Sequence, residues 1–127
     1  MLIDWLVQPL GDGWEDYAPD VVVWVDVARI DAAFARDTSH YVGVRGCGAG
    51  QPTRYANIGR RMQAGLPIWM PQLHLHDDGV IRFTDGRHRF AWVRDHGATA
   101  LPVATSLDAA AILASQFGSP LRECRVR

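Results

Sequence analysis

The chain has 127 residues, room for one compact domain, and 48% of them are hydrophobic, five being Trp, so a sizeable core forms. Its net charge is −1, but residues 1–31 carry seven acids against one arginine, and the rest carries seven acids against twelve arginines. That balance excludes a protein coated throughout for nucleic acid while leaving room for a local cationic site.

All thirteen basic residues are Arg, so every cation is a permanently charged planar fork suited to phosphate or carboxylate. The two cysteines, Cys47 and Cys124, are too few for a disulfide framework and lack metal-ligand spacing. No run approaches the roughly 18 apolar residues of a membrane span, and the first residues lack a basic leader, so no membrane partner and a cytoplasmic location are expected.

Residues 1–20, acidic and punctuated by Pro9, Gly11, Gly13 and Pro19, read as an irregular segment docked through Trp5 and Trp14. Residues 21–27 are almost all β-branched, which predicts a buried strand. Asp31 is placed to cap a short helix over 32–36. Four glycines within residues 43–50 predict a mobile loop without the Lys-Ser/Thr of a P-loop, read first as a plain surface loop and second as a flexible flap beside the site. The pattern then predicts a helix over 52–64, with Pro52 in its first turn and Gly65 as its stop. Tyr55, Ile58 and Met62 form its core face, and Arg54, Asn57 and Arg61 a polar stripe.

Residues 67–71 lead into a hairpin: 72–76 alternate, Asp77-Asp78-Gly79 turns, and 80–83 return. A helix over 86–96 stops at Gly97, a strand covers 101–105, and Asp108 caps a last helix over 109–117, ended by Gly118 and Pro120. Residues 106–127 thus add a helix and a tail of three arginines.

The stretch Asp85-Gly86-Arg87-His88-Arg89 stands out. It links the hairpin to a helix, with Asp85 read as the N-cap. A helix start leaves N–H groups unpaired and carries partial positive charge, so Arg87 and Arg89 there oppose the dipole unless an anion is bound. They are read as unpaired cations whose removal leaves the fold intact and abolishes phosphate binding. His74 and His76 share a strand face, with His40, His88 or a carboxylate as the conceivable third ligand, yet no second His pair or acidic triad has ligand spacing and no metal site is assigned.

From Gly65-Leu66-Pro67-Ile68, through the hairpin, to residues 85–91, Gly97 and Leu101-Pro102-Val103, the order of elements and the Gly-x-x-Arg turn resemble the ParB/sulfiredoxin-like superfamily. The resemblance covers residues 21–105 and implies an α/β (α+β) fold, a small mixed sheet with flanking helices in a single domain. It implies a nucleotide or other phosphate-bearing small molecule held by Asp85, Gly86, Arg87, His88 and Arg89 with Arg54, Asn57 and Arg61, magnesium as candidate cofactor, and hydrolysis or phosphoryl transfer as candidate chemistry. Sulfiredoxin's chemistry is excluded, because Arg87 stands where that enzyme carries its cysteine. ParB and a related free-serine kinase carry a Glu after the motif Gly or elsewhere in the site; here Asp85 precedes the Gly, so no catalytic residue is assigned. The alternatives are a DNA-associated accessory module of a plasmid or phage, binding through the arginine tail and the Arg54/Arg61 stripe, or a degenerate domain used for protein–protein contact. In that last case Arg87 and Arg89 pair with acids of a partner or of residues 1–31.

Overall fold

A computed structural model of the chain describes residues 1–8 and 19–127. Among the described residues it is a mixed α+β domain of two sheets and four α-helices. The chain order is β1 (Trp5–Leu6), β2 (Val21–Asp26), α1 (Val27–Phe34), α2 (Pro52–Gln63), β3 (Ile68–Trp69), β4 (Gln72–Leu75), β5 (Ile81–Asp85), α3 (Arg87–Asp95), β6 (Ala100–Thr105) and α4 (Leu107–Phe117).

The larger sheet runs β2-β6-β4-β5. β6 is buried along its whole length and lies antiparallel to β2 and parallel to β4. It carries Pro102, unusual in a central strand because proline offers no N–H to a ladder. The register explains it: the Ala104 N–H points across to the Pro71 C=O at 2.8 Å, so position 102 also faces β4, where pairing has not begun. The hairpin of β4 and β5 forms as its alternation predicts.

Helices α1 and α4 both pack on β2, and α2 packs on α3. The core centres on Phe34, which meets Phe83 and Phe90 edge-on at centroid distances of 4.8 and 6.0 Å, with Ile30, Leu101 and Leu113 fully buried. None of the described helices is long and apolar enough to cross a membrane.

Several local expectations are corrected. The first helix begins five residues earlier than Asp31 suggested. Its cap is Asp26, whose carboxylate accepts from Arg29 N–H at 2.9 Å, and Asp31 lies inside the helix. Ser106, not Asp108, caps α4. β2 is half-buried rather than buried, with Val22 outward on an edge strand. Trp5 is half-buried against the core and belongs to β1, which pairs in parallel with β3; Trp14 and the proposed irregularity of residues 9–18 lie outside the described residues. The terminal segment is tied in, through Arg127 N–H to His96 C=O and Val126 N–H to Met1 C=O, both at 2.9 Å.

Candidate phosphate site

Strand β5 ends at Asp85, and Gly86 turns the chain into α3 with φ +90° and ψ 18°. A Cβ at Gly86 would fall 2.9 Å from Pro71 Cα, so both the left-handed backbone and the crowding require glycine. Gly86 itself is therefore the N-cap, and no side chain caps α3. Asp85 is corrected from cap to ion-pair partner: its carboxylate lies 2.9 Å from Arg89 Nη2. The first intrahelical bond runs from Phe90 N–H to Gly86 C=O, leaving the N–H groups of Arg87, His88 and Arg89 ahead of it.

Helix α2 is brought beside this turn by a close approach to α3. A Cβ at Gly59 would lie 2.5 Å from Trp92 Nε1, so only glycine lets the two helices meet there. The result is an open concavity of about 300 Å³ lined by Arg54, Asn57, Ile58, Phe83, Thr84, Asp85, Gly86, Arg87, His88 and Arg89. Three guanidiniums and one carboxylate face it, an excess of positive charge at a helix N-terminus. Seven of the eight residues singled out from sequence line this one space. Arg61 does not. It borders a neighbouring cleft with Ile58, Pro67, Ile68, Trp69 and Arg89. It lies on nearly the same face but farther along α2, because a step from 54 to 61 is two helical turns and about 10 Å of rise.

The arginines of the turn are not free cations. Arg87 Nη1 donates to the carbonyls of His40 and Ala49, both at 2.9 Å, and Arg89 Nη1 donates to Trp69 C=O at 2.6 Å. Each spends part of its fork on the fold and keeps further donors, and among the described residues neither pairs with an acid of residues 1–31. Residues 43–50 form a loop as expected, but one held at two points rather than left as a mobile surface loop or flap. The loop holds a short 3-10 turn, Val44–Gly46, and is tied by Arg87 to Ala49 C=O and by Arg45 N–H to Asp95 at 2.9 Å. Asn57 accepts from Arg60. Arg54 is exposed and has no hydrogen-bond or ion-pair partner among the described residues.

His88 is buried, and its Nε2 accepts the N–H of Gln51, the residue that opens α2, at 2.9 Å. Burial, then the charges of Arg87 and Arg54, hold its pKa down to about 4. The neutral ring therefore carries its proton on Nδ1, a donor without a partner among the described residues. Because the unfolded ring titrates near 6.5, this contribution to stability is complete above that pH and is lost as the pH falls toward 4, where the folded ring also protonates. We expect the loss to be about 2–3 kcal/mol. His88→Gln keeps an acceptor for Gln51 and should remove that part of the acid destabilisation, measured as the difference in urea stability between pH 7 and pH 4.

Magnesium does not fit as a resident ion. Among the described residues Asp85 is the one carboxylate lining the concavity, it is committed to Arg89, and three guanidiniums line the same space, whereas magnesium takes carboxylate, phosphate and water oxygens. His74 and His76 lie elsewhere, their ring centroids 6.4 Å apart, along a shallow depression with His40 and Arg82. Among the described residues no group of three or more His, Cys, Asp or Glu is arranged to hold a metal ion. The tail arginines serve local contacts: Arg122 donates to Ser119 C=O and Leu121 C=O, and Arg125 lies 3.3 Å from Glu123.

Sequence reading missed Phe83 and Thr84 as walls of the concavity, and Trp69 beside it. The outward alternation of β5 was the available signal for Thr84; Trp69 had only its exposure on a two-residue strand, too short for sequence to show which way it faces.

Comparison with known proteins gives two findings. The family model "Plasmid Fertility inhibition factor" matches residues 58–118, from mid-α2 through the hairpin, the turn and α3 to the end of α4. A solved structure, that of Oncogenic Suppression Activity Protein, a plasmid fertility inhibition factor, superposes with a TM-score of 0.58 over 89% of this chain and 75% of that one, at 19% identity. No curated protein matches the chain significantly. At that identity the superposition establishes a shared mixed α+β architecture. The chain is thus similar, over residues 58–118, to the plasmid fertility inhibition factors, and in fold to a protein of that description.

Proposed function

We propose that this chain is a cytoplasmic accessory protein of a plasmid, acting in fertility inhibition, and that it works through a phosphate-bearing ligand held at the β5–α3 turn. The family match carries the first half of the reading, and it spans most of the concavity's wall, residues 58 and 83–89. The second half rests on one observation: Arg54 from α2 and Arg87 and Arg89 from α3 face the same space as the open N–H groups of a helix start. A ParB/sulfiredoxin-like fold belongs to this reading. It is supported by the order α2, Gly65, β3, hairpin, Gly86 turn, α3, Gly97, β6.

Binding is better supported than turnover. His88 at neutral pH is a donor rather than a base, and Asp85 is held by Arg89. The side chains supply charge neutralisation and orientation, and no general base is assigned.

The test is transfer frequency from donor cells that carry one of a panel of conjugative plasmids and express this chain. The wild type is expected to lower transfer of at least one plasmid, and Arg54→Ala, at equal protein level, to lose most of that effect. Unchanged transfer across the panel would overturn the accessory role; an Arg54→Ala variant as inhibitory as wild type would remove the concavity from it.

A further inference from the structure

We infer that this chain pairs with a second copy of itself, as a two-fold dimer, through the outer face of α4. That surface is separate from the phosphate concavity, and the inference does not depend on what the concavity holds. Helix α4 packs on β2 and is anchored by Leu113, which is fully buried. Its other large aliphatic side chains point away from the core: Leu107 is 65% exposed and Ile112 50%. Leu107, Ala111 and Ala114 fall at i, i+4 and i+7, a stripe on the side of the helix away from Leu113. The helix carries one charged residue, Asp108, in its first turn. Beside it β2 is an edge strand that turns Val22 outward at 42% exposure. A solvated helix face is normally rich in charge, so an outer face this apolar is the pattern of a covered interface.

The occupant follows from the shape and charge of the face. Between α4 and the edge of β2 lies a recess of about 600 Å³, with Ala111 and Ala114 on one side, Val22 and Trp24 on the other, and Gly118 and Arg122 at the C-terminal end of the helix. Protruding side chains and recess thus belong to the same helix, which is what a self-complementary two-fold contact needs. Antiparallel packing of two α4 helices, about an axis between Ala111 and Ala114, sets Leu107 of one copy opposite Gly118 of the other, where the missing side chain leaves room for it.

The two ends of the face carry opposite charge. Asp108 stands at the start of α4, and Arg122 follows its end. Arg122 uses Nη1 for the carbonyls of Ser119 and Leu121 and keeps Nε and Nη2 as further donors. Among the described residues neither Asp108 nor Arg122 pairs with an opposite charge. The antiparallel arrangement brings each Asp108 to the Arg122 of the other copy, twice per dimer, whereas a parallel one would oppose like charges. The helix is 11 residues long, about 16 Å, so the face is small for a stable interface and a dissociation constant of about 10 μM is expected. The recess shares no lining residue with the phosphate concavity, so pairing leaves both concavities open.

The experiment is sedimentation equilibrium of the full chain from about 1 to about 500 μM, with melting temperatures as the check on folding. Wild type should pass from monomer to dimer across that range. Leu107→Glu places an acid where the helix dipole favours it, so it should keep the melting temperature and weaken dimerisation by at least about tenfold. Asp108→Arg and Arg122→Glu should each weaken it by about threefold to tenfold, and the double variant should return to within about threefold of wild type. A wild type that stays monomeric throughout, a dimer that Leu107→Glu leaves intact, or a double variant no tighter than the single ones would overturn the inference.

Discussion

Arg94→Ala is expected to destabilise the protein by about 3–5 kcal/mol, the usual cost of removing one partner from a buried ion network. For a domain of this size that is a fall in melting temperature of about 10 °C or more. The Arg94 side chain is 11% exposed, and its Nη1 donates to Asp31 at 2.9 Å and to Val42 C=O at 2.7 Å. Its Nε donates to Asp95 at 3.0 Å, while Nη2 lies equally close but off the hydrogen-bonding direction, so that contact is electrostatic. Asp95 also accepts from Tyr55 Oη at 2.8 Å and from Arg45 N–H. One guanidinium therefore joins α3 to α1 and the segment at Val42, and through Asp95 to α2 and the 3-10 turn. Burial, then the hydrogen bond to Asp95, push the Tyr55 phenol above its ordinary range, so it stays a donor. Without Arg94, Asp31 and Asp95 would be left as partly buried charges lacking their cation. Thermal unfolding followed by circular dichroism measures the effect, and a shift of only a degree or two would show that the network is peripheral.

Arg54→Ala is expected to do the reverse: to leave stability within about 0.5 kcal/mol of wild type and to weaken phosphate binding by about tenfold to a hundredfold. Arg54 is exposed and has no partner among the described residues, so the fold loses nothing with it. A charge-assisted hydrogen bond to phosphate contributes about 1.5–3 kcal/mol, which gives that range. Arg87→Ala differs from it in kind. Its two bonds to the carbonyls of His40 and Ala49 hold the glycine-rich segment, so stability and binding should fall together. That corrects the expectation that Arg87 could be removed at no structural cost. Titration of pyrophosphate into both variants, beside their melting temperatures, separates a binding arginine from a structural one.

The contrast between these arginines shows what the sequence could disclose. The turn at Gly86 was legible because hairpin alternation, a glycine and a helical pattern abut within a few residues, and each is a local signal. The stripe of Arg54, Asn57 and Arg61 was legible as a face, but which of its members reach the turn depends on how closely α2 approaches α3. That is set by the contact of Gly59 with Trp92, residues far apart in the chain. Apart from Asp85, the partners of Arg87 and Arg89 are backbone carbonyls at positions 40, 49 and 69, and nothing in a carbonyl's residue type announces it. Caps failed for a different reason. Asp26, Asp31, Ser106 and Asp108 are all competent N-caps, and the choice among them fell to the strand register, which ends β2 at Asp26 and β6 at Thr105. The pairing of β1 with β3 joins strands of two residues each, too short for a periodic signal.

The claim that the β5–α3 turn receives a phosphate is tested most directly by backbone amide NMR shifts on titration with pyrophosphate. The largest shifts should fall on Gly86, Arg87, His88 and Arg89, with smaller ones along α2 near Arg54 and Asn57, and they should saturate together. Absence of shifts at those four amides, or saturable shifts confined to another surface such as the arginines of the C-terminal segment, would contradict it.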